Sequence, residues 1–219
     1  MSTPPVTAAF ADLLTIADPA GDVTPIEGRD APQVRALVEA ARAGSQAAFG
    51  ELVTLYERVA FRTALTALRS REDAEDATQE AFVVAWQKLA GFRGDATFRT
   101  WILTIVWRKA LDKRRARRLW WFRTARARAV TDVDPIDQLV ALPADPERAA
   151  VARDLTRRVR DQVTRLSPKL RDTLLLTASG EHSYGEIAAM LAVPVGTVKW
   201  RVAEARRLLR HKLDDRRRA

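Results

Sequence analysis

Apolar side chains recur every third or fourth position along most of this chain, and nowhere do they alternate with a period of two, so the pattern predicts helices and no sheet. The first helix is expected from Val34 to about Arg42, stopping at Gly44. Ser45 can cap a second through Leu68, with Phe49, Leu52, Val53, Tyr56 and Ala60 at helical spacing. Ser70-Arg-Glu-Asp73 resembles a capping box and opens a third, to about Leu89, with Phe82, Ala85, Trp86 and Leu89 as its apolar stripe. Gly91-Phe-Arg-Gly-Asp95 has the chemistry of a turn. A fourth helix follows with Phe98, Trp101, Ile102 and Ile105 on one face, and it continues without a breaker into a polar stretch.

From about Leu119 to Leu142 the period is lost, which predicts a linker over residues 119–146. Asp145-Pro146 and Ser167-Pro168 each place a capping side chain before a proline suited to the first helical position, predicting helices Glu147–Arg165 and Lys169–Ser179. Residues 1–32 hold five prolines and no sustained period, the composition of a disordered arm, with at most a helical turn near Phe10–Ile16. The fold class expected is all-α: two small helical domains, 33–118 and 147–213, on a flexible linker, with a short basic tail over 214–219.

Near the C-terminus, Ser183-Tyr-Gly-Glu186 is a capping box opening a short helix, Tyr184–Leu191, which buries Ile187, Ala188 and Leu191. Ala192-Val-Pro194 makes a turn, and a longer helix runs from about Val195 to Leu213. At 100° per residue, Val198, Val202, Ala205 and Leu209 share one face, which packs on the body. Gly196, Trp200, Ala203 and Arg207 lie opposite, flanked by Lys199 and Arg206 on one side and by Thr197, Arg201 and Glu204 on the other. A short helix, a tight turn and a longer basic helix spell a helix-turn-helix whose second helix suits a DNA major groove.

Charge sharpens this. The 219 residues carry 37 Lys and Arg against 28 Asp and Glu, a formal net charge of +9. Ten of the positive residues fall between Arg108 and Arg128, facing Asp112 alone. A second basic run, from Lys199 to Arg218, closes the chain. Two separate basic patches on a weakly acidic body are the footprint of a polyanion binder. The absence of cysteine excludes disulfides, thiolate metal sites and a Cys nucleophile, and two histidines are too few for a His-based zinc cage. No apolar run approaches the roughly 20 residues of a membrane helix. There is no secretory leader pattern and no Gly-rich phosphate cradle, and no spacing groups the carboxylates with the histidines. The expectation is a cytoplasmic, non-enzymatic protein without a cofactor.

At this point the sequence resembles the extracytoplasmic-function (group 4) sigma factors of RNA polymerase, in the sigma-70 family. The resemblance rests on Asp73-Ala-Glu-Asp-Ala-Thr-Gln-Glu-Ala-Phe82 with Trp86, on Phe92-Arg-Gly-Asp-Ala-Thr-Phe-Arg-Thr-Trp101, and on Ala110-Leu-Asp112 before the basic run. It continues from Leu166-Ser-Pro to Glu186-Ile-Ala and through Pro194-Val-Gly-Thr-Val198. These stretches cover about 33–118 and 147–213 in order, and they imply a sigma region 2 domain and a sigma region 4 domain.

The resemblance implies that the third helix docks on the clamp coiled coil of the largest polymerase subunit through Asp73, Asp76, Gln79, Glu80, Phe82 and Trp86. Its acidic face, Glu72, Asp73, Glu75, Asp76 and Glu80, suits a basic partner. The loop from Phe92 to Thr97, with Arg93 and Asp95, then matches the element that opens the −10 promoter element and captures an unstacked base. Arg93, Arg99, Arg108, Lys109, Lys113 and Arg114 are its candidate phosphate clamps, while Phe98 and Trp101 read as core. The helix-turn-helix matches the reader of the −35 element, through Thr197, Lys199, Trp200, Arg201, Glu204, Arg206 and Arg207. Implied partners are core polymerase (β′ clamp and β flap), promoter DNA and an anti-sigma factor, with no membrane insertion.

Three positions depart from the family pattern: Arg108, where many relatives carry Asn; Trp200, where a small polar residue is common; and Glu204, where Arg is common. Trp120-Trp121-Phe122 is unusual beside a basic run and suits either single-stranded DNA or a regulator. Two other readings stay open at this point: a free-standing helix-turn-helix regulator, and a sigma mimic that titrates an anti-sigma factor.

Overall fold

The computed structural model describes residues 30–124 and 157–215. These fall into two units, one within Thr24–Val133 and the other mainly within Asp134–Ala188 and Ala192–Ala219. The described residues are helical with no strand. The first unit contains α1 (Pro32–Arg42), α2 (Gln46–Leu68), α3 (Arg71–Lys88), a 3₁₀ turn at Leu89–Gly91, and α4 (Phe98–Thr124). The second contains α5 (described over 157–164), α6 (Pro168–Ala178), α7 (Tyr184–Leu191) and α8 (Val195–Asp215).

Local chemistry sets the corners. Gly44, at φ 99°, takes the left-handed conformation that ends α1, and the Ser45 hydroxyl accepts from the Ala48 N–H at 3.2 Å to start α2. Only Arg69 and Ser70 separate α2 from α3. Arg69 is left-handed at φ 57° and its N–H closes on the Leu65 carbonyl at 2.8 Å. The Ser70 hydroxyl accepts from the Asp73 N–H at 3.3 Å. The reciprocal half of that capping box is not made, because the Asp73 carboxylate turns to Arg117.

The core of the first unit is an alanine stripe on α3 clasped by larger side chains. Ala74, Ala77, Ala81 and Ala85 are all buried, and they let α3 lie close to Leu52, Ala60, Ala64 and Leu68 of α2 and to the buried face of α4. On α4 that face is Phe98, Ile102, Leu103, Val106, Trp107 and Ala110. Each large apolar side chain buried there stabilises by about 1.5–3 kcal/mol. Trp101 and Ile105, expected on this face, are half-buried at its edge, and Trp107 lies at its centre.

Three boundaries and one cap differ from the sequence expectation. Pro32 starts α1 rather than closing a disordered arm, because proline fits the first turn of a helix. The expected linker does not begin at Leu119, because α4 continues to Thr124 through a stretch with no Gly or Pro to stop it. Pro168 begins α6 as expected, but the Ser167 hydroxyl makes no capping bond. Asp214 and Asp215, placed in the tail, close α8. The turn near Phe10–Ile16, the linker beyond Thr124, the helix start at Asp145-Pro146 and residues 216–219 lie outside the described residues.

In the second unit, Val159, Val163, Leu166, Leu174, Leu175, Ala178, Ala205 and Leu209 form one buried cluster, joining α5 and α6 to α8. The Ser183 hydroxyl accepts from the Glu186 N–H at 3.2 Å, while the Ser183 N–H donates to Glu186 Oε2 at 2.9 Å. This reciprocal box starts α7 as the sequence predicts. Ala192, left-handed at φ 52°, makes the turn into α8.

One bond joins distant parts of the chain. The Phe98 N–H, at the start of α4, donates to both carboxylate oxygens of Asp30, at 3.0 and 2.8 Å. Burial pushes the Asp30 carboxyl above its ordinary value, against the lowering effects of that bond and of Arg35. A raised pKa means that the folded chain holds the proton more tightly than the unfolded one. Stability from this group is therefore greatest at low pH and declines as pH rises from about 4 through the raised value. In urea unfolding, Asp30→Ala is expected to lose about 1 kcal/mol at neutral pH through the lost cap. Asp30→Asn, which keeps an acceptor without the charge, should match or exceed the parent at neutral pH and converge with it on acidification.

Candidate nucleic-acid and polymerase interfaces

The acidic face of α3 and the basic face of α4 meet each other. Asp73 pairs with Arg117 at 3.1 Å, Asp76 with Lys113 at 2.8 Å and Glu80 with Lys109 at 3.3 Å. The helices run antiparallel, so acids rising through 73, 76 and 80 meet cations falling through 117, 113 and 109. Steps of three or four residues keep both stripes on facing sides. The result is a three-rung ladder joining residues that the sequence reading assigned to polymerase with residues assigned to DNA.

The rungs are not equivalent. Arg117 also donates through Nη2 to the Leu68 carbonyl at 3.3 Å, so its guanidinium ties the end of α2, the start of α3 and the C-terminal part of α4 together. Both partners of that rung are largely covered, with side chains 32% and 25% exposed. In the outer rungs the carboxylates are more than half exposed, Asp76 57% and Glu80 56%, and each uses only one oxygen on its lysine. Exposed pairs of this kind contribute about 0.2–1 kcal/mol each. Beside the ladder, Arg114 reaches the Ala67 carbonyl at 3.5 Å and Arg115 pairs with Asp112 at 3.3 Å. Arg108 is exposed and makes no ion pair among the described residues. Leu119 and Trp120 are both exposed beyond the bundled part of α4.

The remaining α3 candidates divide. Gln79 is exposed, and Trp86 is half-buried with its ring 5.0 Å from Phe49. Phe82 is buried and belongs to the core.

The loop after the 3₁₀ turn shows a similar split. Phe92 is buried, its ring centroid 5.0 Å from Trp101 and 5.9 Å from Phe98. Thr97 is also buried and caps α4, its hydroxyl accepting from the Thr100 N–H at 3.1 Å. Neither is an exposed contact. Arg93 and Asp95 are exposed and paired with each other at 2.9 Å. Between this loop and α1 lies a cavity of about 240 Å³, with Arg35, Val38 and Glu39 on one side and Phe92, Arg93 and Ala96 on the other. Sequence reasoning missed the contribution of α1 and Asp30, since no local pattern relates Asp30 to Phe98 68 residues away.

On α8 the wheel arithmetic holds. Val198, Val202, Ala205 and Leu209 are buried, while Gly196, Lys199, Trp200, Ala203 and Arg207 are exposed. Thr197, Arg201, Glu204 and Arg206 sit at intermediate exposure on the flanks. Trp200, 62% exposed, stands on the face opposite the core. The Lys199 ammonium lies 6.0 Å from the centre of the Tyr184 ring, which steers it without neutralising it. Arg207 instead grips Glu204 through two bonds, Nε to Oε2 and Nη2 to Oε1, both 2.8 Å. Hydrogen bonding to Arg207 holds the Glu204 carboxyl below its ordinary range and lifts the Arg207 pKa in turn. The lowered value keeps the pair closed as pH falls into the usual glutamate range. Two residues that read as separate DNA contacts therefore form one nearly neutral unit.

Comparison with known proteins gives a consistent picture. Residues 52–128 match the family described as Sigma-70 region 2, and residues 156–209 match Sigma-70, region 4. The chain is 29% identical over 182 residues to the ECF RNA polymerase sigma factor SigW of Bacillus subtilis, covering 83% of this chain and 97% of that protein. It is 32% identical over 180 residues to the RNA polymerase sigma factor CnrH of Cupriavidus metallidurans, covering 82% and 94%. A solved structure of CnrH in complex with the cytosolic domain of CnrY superposes with a TM-score of 0.56 at 29% identity, over 84% of this chain and 98% of that one.

Because Arg207 is committed to Glu204 and Lys199 is not, Lys199→Ala is expected to weaken duplex DNA binding about fivefold or more, and Arg207→Ala by less than about twofold. Glu204→Gln should tighten binding by releasing Arg207. Anisotropy titrations at several salt concentrations check the ranking. The reverse order would show that the pair opens on DNA.

Proposed function

Since the chain belongs to the extracytoplasmic-function sigma factors of the sigma-70 family, we propose that it divides their task among its own residues as follows. As a sigma factor it binds core RNA polymerase and directs promoter-specific initiation. Asp76, Gln79 and Glu80, with Asp73 behind them and Trp86 at the edge, form the surface presented to the polymerase clamp. Exposed carboxylates on a rigid helix favour a basic partner.

The loop around Arg93 and Asp95, with Arg108, Lys109, Lys113 and Arg114 of α4, handles the −10 element. Arg93 borders a cavity beside the loop, and the α4 cations follow along the helix that leaves it, which suits a strand whose base has left the stack. Arg108, exposed and unpaired among the described residues, acts there as a phosphate clamp. The −35 element is read by α8 through Lys199, Trp200, Arg201 and Arg206, with Thr197 at the helix start and Glu204 setting the availability of Arg207. Bond-making chemistry belongs to the polymerase, and the chain works in the cytoplasm beside it.

The observation that carries this reading is the presence, in one chain, of a region 2 match and a region 4 match, the second containing a helix-turn-helix whose capping box is closed and whose basic face is exposed. Control by an anti-sigma factor is supported by the likeness to CnrH, whose solved structure holds the cytosolic domain of CnrY. Among the described residues no helix is long and apolar enough to cross a membrane, so this chain does not supply a membrane-spanning helix from them.

The test is reconstitution with core enzyme on the DNA upstream of the chain's own operon. Specific run-off transcripts are expected only when both are present. Charge reversal at Asp76 and Glu80 should abolish co-elution with core while leaving the protein folded. Tight operator binding by the isolated chain, indifferent to that reversal, would favour a free-standing regulator instead.

A further inference from the structure

The ladder between α3 and α4 places two assignments in conflict. Asp76 and Glu80 are offered to polymerase, and Lys113 and Lys109 to DNA, yet in the free chain these groups hold one another. We propose that the two outer rungs are an electrostatic exchange that couples the two surfaces: a basic polymerase surface takes Asp76 and Glu80, and the released Lys113 and Lys109 then bind promoter phosphates. The inference rests on the functional reading above and adds to it a reason for DNA binding to follow polymerase binding.

Three observations make the outer rungs suited to exchange. Their carboxylates are more than half exposed, so a partner can reach them without moving a helix. Only one oxygen of each is engaged, leaving the other to receive an incoming guanidinium. An arginine offers two parallel N–H groups to a carboxylate where a lysine offers a single point charge, so the incoming partner has the better geometry. The displaced ammonium groups sit on long flexible stems and carry a full charge to the nearest phosphate.

The innermost rung supplies the contrast. Arg117 is fixed by Asp73 and by the Leu68 carbonyl together, and both side chains are largely covered. Removing the Asp73 charge therefore weakens the bundle itself, whereas removing the Asp76 and Glu80 charges frees lysines without touching the core. The ladder divides into one structural rung and two exchangeable ones.

The experiment compares the full chain carrying Asp76→Asn and Glu80→Gln with the parent. A control carrying Glu51→Gln and Glu57→Gln makes the same charge change on exposed positions of α2. The free proteins are titrated with a fluorescent single-stranded −10 oligonucleotide, and Lys109→Ala with Lys113→Ala, which leaves both carboxylates for polymerase, is titrated beside the parent as free chain and as holoenzyme. The exchange predicts that the ladder variant binds the oligonucleotide about two- to fivefold more tightly per released lysine than the control does, since each exposed pair is weak. It also predicts that the lysine variant loses about two- to fivefold or more in holoenzyme, where the parent's lysines are free, and less than about twofold as the free chain, where they are paired.

Equal affinities of ladder variant and control would overturn the coupling, because general electrostatics alone would then account for any gain. Equal losses from the lysine variant in free chain and holoenzyme would overturn it as well. Failure of the parent to co-elute with core would instead sink the functional reading, and the exchange with it, which keeps the two outcomes distinct. Asp73→Asn, followed by thermal melting, should lower stability more per rung than the ladder variant does.

Discussion

Arg117 holds three helices at one point. Its two terminal nitrogens reach the Asp73 carboxylate and the Leu68 carbonyl, so a single planar cation satisfies the C-terminal end of α2 and the acidic start of α3 from the C-terminal part of α4. A cation is favoured at a helix C-terminus and an acid at an N-terminus, and the two termini lie side by side because only Arg69 and Ser70 connect them. The corner, the node and the antiparallel packing of α3 on α4 thus depend on one another. With that register set, the alanine stripe meets the buried face of α4, and the outer acids fall opposite their lysines.

The same register explains why net charge is a poor guide to what each face offers. The run that begins at Arg108 looks uniformly basic in sequence, yet its cations are dealt to different tasks by the 100° turn per residue. Lys109, Lys113 and Arg117 face α3, Arg114 turns toward the end of α2, Arg115 is satisfied by Asp112, and Arg108 faces solvent. On α8 a comparable economy operates. Glu204 silences Arg207 while Lys199 rests near an aromatic ring that does not neutralise it. Electrostatic potential in both units is set by which charges lack an internal partner.

Much of this was legible in the sequence where the determinant is local. Ser45 and the Ser183–Glu186 box announce helix starts within a few residues, and the structure closes both as expected. The wheel separating Val198, Val202, Ala205 and Leu209 from Lys199 and Trp200 is likewise a local property. What escaped depends on tertiary partners. The alanine stripe of α3 carries too little apolar area to stand out, although it decides how close the helices come. Asp30 caps a helix 68 residues away. The ladder needs a register that only packing defines. Phe82 and Phe92 matched a functional pattern by sequence but are withdrawn into the core, because large aromatics on helical spacing are the side chains a small bundle most needs to bury. Ser167 makes no capping bond, although Pro168 takes the first turn as expected.

The 27-residue length of α4 has a consequence for how this chain tolerates change. At 1.5 Å per residue it is a rod about 40 Å long, buried along its first turns and charged along the rest. Inserting or deleting one residue anywhere between Phe98 and Arg117 would swing everything downstream through about 100°, taking Arg117 away from Asp73, and a change before Lys109 takes both lysines away from their acids as well. No loop lies within the rod to absorb the error. Divergence among descendants of this sequence is therefore confined to substitutions along α4, and changes in length must fall before Thr97 or beyond the helix.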